Sequence, residues 1–174
     1  MSVQHSLGRL ADLCDGISEW TGRAVSWLTL AMVIVTFLVV VLRYLFNMGW
    51  IAMQESITYM HAMVFLLGAA YTLKQGGHVR VDIFYREMSP RSRAWVDLFG
   101  TLFLLLPVFG FILWMSWDYV YSSWELLEGS REAGGLPLVY LLKTTILLMP
   151  ALMLLQGVSL VVRSVVVLSG SENG

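Results

Sequence analysis

The tightest constraint in the sequence is a run of eighteen residues, Val25 to Leu42, without one charged side chain. A helix crossing the hydrocarbon core of a bilayer needs about 20 predominantly apolar residues. Three further stretches meet that need: Ser56 to Leu73, interrupted only by His61; Leu98 to Trp117, bracketed by Asp97 and Asp118; and Thr144 to Val162, between Lys143 and Arg163. Inside lipid the backbone must satisfy its own hydrogen bonds, so each stretch is expected to be helical. Only 13% of the chain is charged and 57% is hydrophobic, where soluble domains carry about 25% charged residues. The expected fold is an all-α integral membrane protein with spans at about 25–46, 55–74, 95–120 and 139–163.

Basic residues set the expected orientation. Lys74, Arg80, Arg86, Arg91 and Arg93 lie between spans two and three, Arg9 and Arg23 precede span one, and Arg163 follows span four. The other side keeps Arg43, Arg131 and Lys143 beside Glu55, Glu125, Glu128 and Glu132. Both termini and the loop 75–90 are therefore expected to be cytoplasmic, with Trp114, Trp117, Tyr119, Tyr121 and Trp124 as an aromatic belt at the outer interface. Residues 1–24 place Leu7, Leu10, Cys14 and Ile17 at helical spacing, the pattern of an amphipathic helix lying on the inner membrane surface; a cap packed on the loops has the same pattern. The start lacks the basic-then-apolar pattern of a cleaved signal, so it is expected to be retained. Residues 164–174 are expected to be a flexible cytoplasmic tail.

Local punctuation is also legible. Gly76-Gly77 marks a helix stop, and Ser89-Pro90 an N-cap followed by proline at the first helical position. Pro107 and Pro150 fall inside spans and should bend or loosen them. Between those marks, Val81, Phe84, Tyr85 and Met88 against Arg80, Asp82, Arg86 and Glu87 describe a short interfacial element.

Several function classes are disfavoured. A net charge of −1 gives no nucleic-acid footprint, and the lone Cys14 has no partner for a disulfide or a metal cluster. His78 and Asp82 have no nucleophile placed beside them, and "KQGGHVR" lacks the spacing of a phosphate loop. No catalytic, cofactor or metal site is expected. Polar and small residues do share helix faces: Thr29, Thr36 and Arg43 on span one; Thr58, His61, Phe65, Gly68 and Thr72 on span two; Thr145, Gln156, Ser159 and Arg163 on span four. Such stripes favour helix–helix contact, within the four-helix unit or against a partner. Arg43 and Glu55, on adjacent helices near the outer boundary, could pair or each reach the surface.

Three classes fit this frame. One is a scaffold subunit, since no Asp, Glu, Lys or Arg sits near the middle of these spans as a carrier would require. Another is a haem or quinone membrane anchor of a respiratory enzyme, which for bis-histidine haem needs two inward histidines. The third is a small dimeric exporter, which needs a carboxylate at mid-membrane.

"RYLFN" at Arg43 to Asn47, Glu55, and "LGAAYTLKQGGHVRVDIFY" at Leu67 to Tyr85 resemble the small membrane (Q-type) subunit of tripartite ATP-independent periplasmic (TRAP) transporters. The resemblance covers roughly Leu30 to Arg163, and "SWELLEGSREAGGLPLVYLLK" is similar to its mannitol/chloroaromatic subgroup. One departure is that members commonly carry Trp three residues before the acid, whereas Trp50 precedes Glu55 by five. The resemblance implies a bacterial inner-membrane subunit that scaffolds a large membrane carrier. A periplasmic solute-binding protein would deliver a small organic solute, often an organic acid, for sodium-coupled uptake. Arg43, Glu55, Thr58, His61, Gly68 and Thr72 are the expected partner interface, with His78, Arg80 and Asp82 as anchor of the cytoplasmic loop and lipid around the rest.

Overall fold

The computed structural model of the chain describes residues 2–78 and 85–170, with side chains from residue 8 onward. Among the described residues every regular element is helical, and four helical stretches are long and apolar enough to cross a membrane. Helix α1 (Ser2–Leu45) has 44 residues, which at 1.5 Å per residue is about 66 Å of helix. It joins the expected interfacial segment to the first span without a break, because no proline occurs before Pro90. Ala11, Cys14, Ser18 and Val25 are buried, so this face docks on the bundle, while Leu10, Leu13, Ile17 and Trp20 face outward. The stripe read as one surface is thus divided between two environments, with Cys14 inside and Leu10 and Ile17 outside.

The second span is α2 (Ile51–Leu67) and α3 (Ala69–Lys74), separated only by Gly68. It stops at Gly76, whose φ of 67° needs no side chain, in agreement with the glycine pair in the sequence. The third span begins as α4 (Pro90–Gly100), where Ser89 Oγ accepts from the Ser92 N–H at 3.2 Å and Pro90 takes the first turn. A π turn, Thr101–Leu105, then leads into α5 (Leu106–Glu125). Pro107 explains it: the ring has no N–H and crowds the carbonyl four residues earlier, and a widened turn relieves that contact.

The fourth span, α6 (Val139–Gly170), runs through Pro150 and on to Gly170. The flexible tail expected from 164 is therefore helical through Gly170, held by buried Val162 and Ser164; residues 171–174 lie outside the described residues. Helix α6 is the centre: 39% of its most apolar stretch is buried, against 6% in the first span. α1, α2 and α3 pack on each other and on α6, while the third span packs chiefly on α6. Two glycines permit close approaches between helices. A Cβ at Gly157 would lie 2.8 Å from Leu105 Cδ2, and one at Gly22 would overlap Tyr71 Cβ and Cγ. Both described chain ends gather at one end of the bundle, and residues 46–50 and 126–138 at the other.

Candidate partner-docking face

Helix α2 meets α1 on one side and α6 on another, and turns a third face outward. Thr58, His61 and Phe65, spaced three and four residues apart, lie exposed on that face. The rings of His61 and Phe65 stack with centroids 6.5 Å apart. His61 falls near the middle of the Ile51–Lys74 span, and its ring has no hydrogen-bond partner among the described residues. An imidazole at that depth is costly against lipid, so this face calls for a polar cover. On α1, Thr29, Thr36 and Arg43 are exposed too, with the Thr36 hydroxyl donating to the Met32 carbonyl at 2.7 Å.

The remaining expected residues work within the chain. Glu55 does not pair with Arg43: one carboxylate oxygen accepts from the Ser130 hydroxyl, the other from the Leu136 N–H at 2.7 Å. It thereby fastens the 126–138 loop to the start of α2. Gly68 is half-buried, and a Cβ there would stand 2.5 Å from the Val64 carbonyl oxygen of its own helix. Thr72 donates its hydroxyl to the Gly68 carbonyl at 3.0 Å. His78 is exposed just past the Gly76 turn, and Arg80 and Asp82 lie outside the described residues. The part of the loop that is described is tied to α4: Tyr85 donates to Asp97 at 2.7 Å, and Arg93 donates to the Arg86 and Met88 carbonyls.

Two ionic clusters hold the ends. At the loop end, Glu128 accepts from Lys143 at 2.5 Å and from the Ser123 hydroxyl at 2.7 Å. The Lys143 and Ser123 hydrogen bonds hold the Glu128 carboxyl below its usual range, against partial burial that pushes it up. At the other end, Asp15 accepts from Ser159 at 2.6 Å, from Gln156 at 2.9 Å and from Arg163, which also reaches Asp12 at 3.1 Å. One turn on, Glu19 pairs with Lys74 at 2.8 Å and Arg23 at 2.7 Å. Asp15 was not foreseen from the sequence. The signal was the Gln156, Ser159, Arg163 stripe, which faces α1 and needs an acceptor there. The polar stripe of span four therefore turns inward, whereas in span two the Thr58, His61 and Phe65 part turns outward and Gly68 and Thr72 are half-buried.

Among the described residues the charged groups sit toward the two ends of the bundle, and His61, the ionisable group at mid-span, faces out. These features define a multi-pass helical membrane protein. The description "tripartite ATP-independent periplasmic transporters, DctQ component" fits residues 32–167, and the chain belongs to that family. It is a multi-pass protein of the bacterial inner membrane. The chain is 28% identical over 131 residues to the C4-dicarboxylate TRAP transporter small permease protein DctQ of Vibrio cholerae serotype O1, covering 68% of this chain and 54% of that protein. It thus spans about half the length of the curated relative it matches. No solved structure matches it.

Proposed function

We propose that this chain is the accessory small permease subunit of a sodium-coupled TRAP transporter, scaffolding a large membrane subunit that takes up a small organic acid delivered by a periplasmic binding protein. Family membership supports the subunit class, and the dicarboxylate in the relative's name supports the solute class. The observation that carries the docking site is His61, exposed at mid-span beside Thr58. Covered by a partner helix, the imidazole gains a hydrogen bond that lipid cannot give. Arg43, Thr58 and His61 form the contact face; Glu55, Gly68 and Thr72 shape it from within. The basic residues between spans two and three put both chain ends in the cytoplasm, where His78, Arg80 and Asp82 anchor the inner loop.

A haem anchor would need histidines pointing into the bundle, and His61 points out. An exporter would need a mid-membrane carboxylate, and Asp15 lies at the chain-end side of the Glu19–Lys74 pair with a cation of its own. The test is a photo-crosslinking amino acid at Thr58 or at Phe111 on the third span, in native membranes. A protein adduct is expected from Thr58 and none from Phe111. An adduct from Phe111 alone would move the interface to the third span.

A further inference from the structure

Three helices end on a residue with left-handed backbone: α1 at Asn47 (φ 54°), α3 at Gly76 (φ 67°) and α5 at Leu127 (φ 43°). The turns after α3 and α5 share one hydrogen-bond pattern. The Gly77 N–H donates to the Thr72 carbonyl at 2.9 Å and the Gly76 N–H to Leu73 at 3.0 Å; the Glu128 N–H donates to Ser123 at 3.0 Å and the Leu127 N–H to Trp124 at 3.2 Å. This Schellman turn favours glycine at the left-handed position, with asparagine the usual substitute. Leucine there crowds its Cβ against the backbone. Leu127 gains little from its own chain in return: it is 65% exposed, and the adjoining Leu126 is 79% exposed.

A strained residue persists where something outside the local backbone favours it. The approach to this turn shows what that is. Trp114, Trp117, Tyr121 and Trp124 on α5 are all exposed, and such rings settle at the headgroup level of a bilayer. Leu126 and Leu127 follow Trp124 with only the exposed Glu125 between, while the next part of the loop is polar and tied down through Glu128 to Lys143 and through Ser130 to Glu55. We propose that Leu126 and Leu127 are a bilayer anchor, inserted among the lipid headgroups and upper acyl chains at the loop end of the bundle. The anchor fixes the height of the third span, which otherwise packs chiefly on α6.

The test uses the full chain in phosphatidylethanolamine–phosphatidylglycerol liposomes, with Cys14→Ala and single spin labels at Leu126→Cys, Leu127→Cys or Arg131→Cys. Collision with oxygen, which concentrates in lipid, is compared with collision with a water-soluble nickel chelate. The oxygen-to-nickel ratio is expected to be several-fold higher at 126 and 127 than at 131. Equal ratios would place the leucines in water, and low collision with both reagents would place them under protein; either overturns the anchor. Leu127→Gly suits the turn and should leave the chain folded, yet lower the ratio at a label on residue 126. An unchanged ratio there would remove Leu127 from the anchor.

Discussion

Asp15 offers the sharpest test of the packing between α1 and α6. Its carboxylate is the shared acceptor for Gln156 and Ser159, which are 1% and 0% exposed, and for Arg163, whose side chain is 53% exposed. Asp15→Ala orphans the buried Gln156 amide and leaves the Ser159 hydroxyl only the Ala11 carbonyl, at 3.4 Å. At about 1–3 kcal/mol for a buried unsatisfied group, the Gln156 amide sets the scale of the loss, and the weakened Ser159 bond adds to it, for a total of roughly 1–4 kcal/mol. Asp15→Asn keeps an acceptor oxygen for both donors and loses the charge opposite Arg163. With Arg163 about half in solvent and the Asp15 side chain 13% exposed, that pair is worth roughly 1 kcal/mol, the upper end of the range for surface pairs. Reversible unfolding in mixed micelles, read by helical circular dichroism, should therefore rank Asn close to the parent and Ala well below it. Equal losses in the two variants would mean that charge dominates over the acceptor role. A negligible loss in Asp15→Ala would mean that α1 does not dock on α6 as described.

Other consequences can be checked in the same preparations. Gly22→Ala should destabilise by about 1–3 kcal/mol, the usual cost of overpacking, because the new Cβ overlaps Tyr71; a second change, Tyr71→Ala, should recover part of the loss in the same unfolding assay. Gly68→Leu should lower the stability of the isolated chain, since its Cβ meets the Val64 carbonyl oxygen; a fully stable chain that merely fails to assemble would contradict this. Glu128 has its folded pKa lowered, so its stabilisation of the loop is complete above the unfolded value of about 4.3 and is lost as pH falls through the lower folded value. Hydrogen exchange at the Glu128 and Tyr140 amides should accelerate only under that acid condition, and Glu128→Gln should abolish the acid-dependent step.

What the sequence could show depended on how local the cause was. Uncharged runs, the Gly76-Gly77 stop and the Ser89-Pro90 start act through their own or neighbouring backbone, and the structure has them where they were read. Pro107 announced a disturbance, and a π turn before the ring is the form it took; the close seat of that turn on Gly157 is a tertiary contact that no local pattern announces. The division at residue 24 did not appear as a helix end, because a change from charged to apolar side chains does not break backbone hydrogen bonds. Periodicity showed that Thr58 and His61 share one face and Gln156 and Ser159 another. It could not say which face turns inward, since lipid and protein interior are similarly apolar. Glu55 was harder still: its partners Ser130 and Leu136 are 75 and 81 residues away, and no pattern in the chain announces them.

The measurement that most directly tests the central claim is mass spectrometry of the proteins that co-purify with this chain from native membranes in mild detergent. A large multispanning permease in near-equal amount is the expected result, and its recovery should fall when His61 and Thr58 are both replaced by leucine while the chain itself stays folded. Recovery of a flavin- or haem-bearing enzyme, or of a self-associated chain that transports solute alone, would contradict the account.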